Sequence, residues 1–440
     1  MIKMLICLGL AAAPLVADMA ERERELGTTS AEGKQSHALA ALPATFRCDT
    51  FRHPPDFVIG VEKVEGTRNA GFAPADGGLD LTAASRKQSA SIRSALDHDT
   101  LVTHTLGIRR SASGSAIIKP FFDLYHSPGL PAPLARWEAS RSAITNLQKE
   151  VRRLVSERKA THVILFCAGW HMEQADAVSG AGWMLDSLMA EAARTGTAFR
   201  PVTIALTWPA GPRESKIPFV GGLASYSDYP KRSDDADEIG IVWGSRVVEQ
   251  ILLPSAGGAK SIVLGHSLGA RLLTSAVASR SLLPAAERAS IGKKLDWLIG
   301  LQAAFPRDRM IHEADEAPGG SATRGAYAGL LKQTSHALFT TSANDRVVGA
   351  PGAPRNLPFG IGRLSPAEHY MGSYMTAEDI PKYPAFTNAL SPMWVLKGRW
   401  ISVPTARDRA IVADCSEIIG SHNDVWGNAE LARLILHVIR

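Results

Sequence analysis

Cysteine is scarce in this chain, four residues in 440, and no two of them form a C-x-x-C pair. That excludes a disulfide-dense scaffold and a thiolate zinc site. The 13 histidines are scattered rather than set at ligand spacing, so no metal centre is expected. No apolar run reaches the roughly 20 residues that a membrane-spanning helix needs, so no stable membrane span is expected either. No G-x-G-x-x-G follows a strand and opens a helix; Gly360-Ile361-Gly362 stands in a Pro-rich segment and lacks a third glycine. A dinucleotide-dependent dehydrogenase is therefore disfavoured, and no cofactor is expected. A large excess of one charge is missing as well: 48 basic side chains stand against 43 acidic ones, for a formal net charge of +5. The densest basic stretch, 149–159, is interrupted by apolar residues at helical spacing without interleaved aromatics. It reads as a solvated helix face and not as a nucleic-acid patch. No internal repeat is visible.

What is present is the composition of a globular protein, 45% hydrophobic and 21% charged. This length fits one large domain or two modest ones. Residues 4–17 follow Lys3 as an apolar stretch that suits the core of a signal peptide, ahead of Asp18 and the charged run 21–25. Export to the periplasm or medium is the expectation for 1–17; the alternative is an apolar N-terminus on a cytoplasmic protein. Cleavage there would leave Cys48, Cys167 and Cys415, with Cys167 in a buried-strand pattern and a Cys48–Cys415 bridge open. Residues 18–50 are polar and Ala/Ser/Gly-rich and read as a flexible arm. The segment 51–130 holds short β-prone runs at 57–61, 101–105 and 115–122. They read either as leading strands of the main sheet or as a small N-terminal extension.

The pattern changes over 131–440. A helix carries Ile144, Leu147, Val151, Leu154 and Val155 on one face. Apolar runs at 162–167, 201–206, 261–264, 295–303, 337–341 and 410–413 then alternate with helical stretches at 184–193, 238–252, 270–278 and 428–439. Near-continuous apolar strands alternating with helices predict a mostly parallel central sheet covered by helices on both faces. Ligands bind beyond the carboxyl ends of such strands.

One strand end carries the chemistry. Ser261-Ile262-Val263-Leu264 runs into Gly265-His266-Ser267-Leu268-Gly269, and a helix follows at once. The five letters alone are weak, but in this context they build a nucleophile elbow, a strained strand-to-helix turn that presents the serine hydroxyl. A serine needs a base within hydrogen-bond reach and an acid to hold that base, and in this architecture both follow the serine on later loops. For the acid, Asp345 stands at the tip of the turn after 337–341; Asp308, flanked by Arg307 and Arg309, is second and is explained by a surface salt bridge. For the base, His422 lies in the loop between the last strand and the last helix, with His369 second. His312 precedes the acid, while His336 and His437 look structural. His266 reads as an elbow-shaping residue rather than the base. Backbone N–H groups of Leu268 and of Trp170 or His171 are the expected oxyanion donors, with Gly169 allowing close approach.

These segments resemble a little-characterised, largely bacterial family of α/β-hydrolases. Its members carry a strand ending in His-Gly-Tyr/Trp-Asn, a Ser-Trp-Pro segment and a GHS-x-G elbow. The counterparts in this chain are Cys167-Ala168-Gly169-Trp170-His171, Thr207-Trp208-Pro209 and Gly265-His266-Ser267-Leu268-Gly269. Ser342-Ala343-Asn344-Asp345 and Gly420-Ser421-His422 are similar to the family's acid and histidine loops. The resemblance covers about 140–440 and implies the α/β-hydrolase fold with Ser267, Asp345 and His422 as a triad. It departs at Ala168, where the family has histidine, and at His171, where it has asparagine. The expected activity is hydrolysis of a small-molecule ester or thioester through an acyl-serine, or transfer of that acyl group. The competing reading is a binding or scaffold protein on an inherited hydrolase fold. Two excursions, 209–232 and 346–400, hold Pro, Gly and aromatics and read as binding walls or lids, or as surface loops.

Overall fold

The continuous apolar runs at the centre of the chain become strands buried on both faces. β1 (Phe57–Lys63), β2 (Thr100–Arg110) and β3 (Ala116–Asp123) come first, then β4 (His162–Cys167), β5 (Pro201–Thr207) and β6 (Lys260–His266). β7 (Leu295–Leu301), β8 (Thr334–Thr341), β9 (Leu390–Leu396), β10 (Arg399–Ile401) and β11 (Ala410–Asp414) follow. The computed structural model describes residues 51–63, 100–111, 116–124, 133–170, 174–208, 229–288, 292–310, 330–345, 370–373, 390–396, 399–401 and 409–440, with a few single positions besides. The proposed export stretch, the arm 18–50, His171, His312, His369 and most of both excursions lie outside them.

All eleven strands form one sheet in the order β10-β9-β11-β8-β7-β6-β4-β5-β1-β2-β3. Pairing is parallel from β9 across to β1 and antiparallel only toward the two edges. The early strands are thus part of the main sheet, since β1 pairs with β5. The excursion 346–400 is corrected in part, because its last residues supply β9 and β10. The chain runs from β4 outward to β5, then returns past β4 to build β6, β7 and β8. That reversal between β4 and β6 is the switch point at which the crevice of an open α/β sheet lies.

Side-chain alternation along the strands feeds two cores. Val163, Leu165 and Cys167 of β4 join Val263 of β6 on one face. There they meet α1 (Pro133–Arg158), α3 (Tyr229–Ile239) with its continuation to 256, and α4 (Leu268–Ala278). Ile164, Phe166, Ile262 and Leu264 face the other way, against α2 (Gln174–Thr195) and α5 (Ala429–Val438). The fold is therefore α/β, a mostly parallel sheet with helices on both faces. Among the described residues no helix is long and apolar enough to cross a membrane. Cys167 and Cys415 are buried free thiols, and burial pushes both well above the ordinary thiol range. Cys48 lies outside the described residues.

Arg307 and Arg309 depart from the sequence expectation. Neither is a surface residue: both are buried. Arg307 donates to Tyr370 O and Ser373 Oγ, and Arg309 to Asp237. The side chain of Asp308 lies outside the described residues. Asp237, on α3, also accepts from Arg271 Nη2 on α4 (2.7 Å) and from Ser275 Oγ (2.7 Å). Burial raises the pKa of the Asp237 carboxyl, but the two guanidiniums outweigh it and hold the group below the usual range. One carboxylate thus ties α3, α4 and the turn Arg307–Met310 together, and its loss would remove the charge that faces two buried guanidiniums.

Asp237→Asn should cost about 3–5 kcal/mol by urea denaturation at pH 7. The folded value lies below the unfolded one of about 3.9, so this contribution is complete above about pH 4. The gap between wild type and variant should stay constant from pH 7 to 5 and narrow only in stronger acid.

Candidate active site

The turn from β6 into α4 bends at Ser267, whose backbone is left-handed (φ 55°, ψ −124°) although the residue is not glycine. Its neighbours explain the G-x-S-x-G spacing. A Cβ on Gly265 would stand 2.5 Å from Ala270 Cα, and one on Gly269 would stand 2.3 Å from Cys167 O. The turn is stitched to the next strand: Ser267 N–H donates to Leu301 O (3.0 Å), and Ser267 O accepts from Ala304 N–H (3.1 Å). The serine is nearly buried, 5% exposed.

Across the switch point the turn after β4 comes close. A Cβ on Gly169 would lie 2.6 Å from Ser267 Cβ and 3.2 Å from its Oγ, so only glycine fits there. Trp208 Nε1–H donates to Ala168 O (3.0 Å) and holds this turn from the end of β5. Trp170, half-buried, packs on the sheet's first core. Leu268 is the first residue of α4, where an N–H has no partner within the helix. The expected donors Leu268, Gly169 and Trp170 thus come from the two loops that flank the serine.

The expected acid and base lie on the loops after two neighbouring strands, β8 and β11. Asp345 is fully buried, and its Oδ2 accepts from His422 Nδ1–H at 2.7 Å. Its Oδ1 accepts from the N–H groups of Val347 (2.9 Å) and Val348 (3.2 Å). Burial raises the Asp345 pKa, while the His422 hydrogen bond, its charge and the other donors lower it; the net displacement is downward. The carboxylate is therefore ionised at neutral pH and acts only as an acceptor. Because it binds Nδ1–H, His422 keeps the Nε2 lone pair free. The two loops are sewn together beneath the pair. Ser342 Oγ–H donates to Ile419 O (2.9 Å), Asn344 Nδ2–H to Ser416 O (2.7 Å), and Ala343 N–H to Ser416 Oγ (2.8 Å).

His266, expected to shape the elbow, is buried and turned toward the histidine loop. Its Nε2–H donates to His422 O (2.9 Å), and the two rings lie 4.7 Å apart between centroids. Burial, then the charge of His422, push His266 down to about 3, so it is neutral. Among the described residues no hydrogen bond joins Ser267 Oγ to His422, whose ring is held over the residue before the serine. Bonds of this kind are often looser without ligand.

Two contributors were not expected from sequence. Gln302, just beyond β7, donates Nε2–H to Asp345 Oδ2 (2.9 Å), and Asn344 braces the histidine loop. The only sequence signal for Gln302 is a lone polar residue closing an apolar run. Among the described residues no group of His, Cys, Asp and Glu is arranged to hold a metal ion. Comparison with protein-family models, curated proteins and solved structures found no match.

Between about pH 6.5 and 3 the unfolded chain takes up a proton that folded His266 refuses. His266 therefore lets stability fall as pH drops through that window and leaves it unaffected above. His266→Gln should flatten that part of the stability slope, measured by urea denaturation at pH 7 and pH 4.5; an unchanged slope would contradict the buried, neutral assignment.

Proposed function

We propose that the chain is a serine hydrolase of the α/β-hydrolase fold, acting on a small-molecule ester or thioester through an acyl-Ser267 intermediate. The observation that carries this reading is the 2.7 Å bond between a buried, ionised Asp345 and His422, held beside a serine in a left-handed elbow. That arrangement suits acyl transfer. Ser267 Oγ attacks the carbonyl carbon while its proton passes to His422 Nε2. Asp345 stabilises the imidazolium without taking the proton. The developing oxyanion is met by N–H groups of Leu268 and Trp170, in a turn where Gly169 lets the backbone come close. Collapse expels the alcohol or thiol, protonated by His422. Water, deprotonated by the same imidazole, then releases the acid and restores Ser267. The sequence resemblance to the GHS-x-G hydrolases points the same way.

The missing hydrogen bond between Ser267 Oγ and His422, together with Ala168 in place of the resemblance's histidine, favours a second reading: a non-catalytic binding protein on the same scaffold. Fluorophosphonate labelling separates the two. The catalytic reading expects wild type to label and Ser267→Ala to lose all labelling. His422→Ala should label at least about 1,000-fold more slowly, and Asp345→Asn about 10,000-fold, because the wrong imidazole tautomer is then held. Folded wild-type protein that never labels would overturn it in favour of the binding reading.

A further inference from the structure

Gln302 is fully buried and carries a left-handed backbone (φ 46°) that glutamine seldom adopts. Strain retained at a polar, buried position invites a functional account. Its backbone N–H and both ends of its side-chain amide are hydrogen-bonded. Its backbone N–H donates to Thr340 Oγ1 (3.0 Å), which in turn donates its hydrogen to Gln302 Oε1 (3.0 Å). Nε2–H then reaches Asp345 Oδ2 at 2.9 Å.

This closed ring fixes which way the amide points. Thr340 Oγ1 accepts the backbone N–H, so its own hydrogen is free for Oε1. A flipped amide would set its oxygen against the Asp345 carboxylate, acceptor against acceptor. The backbone behind it is held as well, since Gly372 N–H donates to Ala303 O (2.9 Å). Oδ1 of Asp345 is meanwhile occupied by Val347 and Val348. The carboxylate has no rotational freedom left.

We propose that Gln302 is a positioning residue of the Ser267 site, its amide locking the Asp345 carboxylate so that one oxygen, already half-committed, faces His422 Nδ1. It thereby limits how much negative charge the imidazole feels and fixes the plane in which it stands. This rests on the triad reading of Ser267, Asp345 and His422. Asp345 faces the imidazole from the loop after β8 and His266 from the end of β6, with Asp424 two positions on in the same loop. His266, pushed down to about 3, stays neutral over the range to be tested.

The test follows the fluorophosphonate labelling rate of the full chain from pH 5 to 9, with the thermal midpoint measured beside it. Gln302→Gly deletes the amide and suits the left-handed backbone, so it should fold; its labelling should slow by about 10–100-fold. The acid limb of its profile should move to higher pH, because Asp345 Oδ2 then bears wholly on His422. A folded variant with the wild-type rate and acid limb would overturn the inference. So would a rate that falls while the limb stays in place, since that marks general loosening. Wild type lacking Ser267-dependent labelling overturns the triad reading itself, and this role with it.

Discussion

The left-handed backbone of Ser267 is the constraint on which the surrounding structure depends. Such a conformation costs about 1–3 kcal/mol and persists only where its surroundings over-determine it. Here they do: the peptide groups on both sides bond to the end of β7, and the carbonyl also caps the first turn of α4. The turn is tight enough that β4 and α4 meet backbone to backbone at Gly269. Everything else near the serine is packed against that fixed point. The β4 turn can approach because Gly169 has no side chain, and α4 leaves the sheet at the angle that Asp237 and its two arginines hold.

A second regularity is how charge is managed. The buried carboxylates near the elbow, Asp345 and Asp237, each face donors of known direction. Asp345 is surrounded by N–H groups from two backbone positions, one amide and one imidazole. His266, whose protonation would add a competing positive charge, is kept neutral by burial. Arg271, on the first turn of α4, and Arg309, on the turn after β7, share a carboxylate of their own, Asp237. A low-dielectric setting makes each remaining interaction stronger and each misplacement more costly.

Much of this was legible in the sequence, for local reasons. The run 162–167 matches β4 end for end, and the elbow was readable because strand, glycines and helix sit within a dozen residues. The order serine, acid, base limited the search to a few loops, and the structure brings Asp345 and His422 into contact. Helix 184–193 is longer than expected, Gln174–Thr195, because its first half is rich in Ala and Gly and shows little amphipathic contrast. β9 was missed because Pro392 argues against a strand. Gln302 and Asp345 are 43 positions apart, and nothing local to either announces the other. The buried arginines escaped for the same reason: Arg309 meets Asp237 across 72 positions, and arginine reads as a surface residue until its partner is known.

The strand order has a bearing on biosynthesis. The Gly169 turn and the elbow belong to β4 and β6, which lie side by side in the middle of the sheet. The imidazole arrives with β11, the last strand to be made, which must slot between β8 and β9. A nascent chain that has emerged only through β7 therefore holds a nearly complete elbow with neither carboxylate nor base. The contact between Asp345 and His422 forms only in the event that closes the sheet.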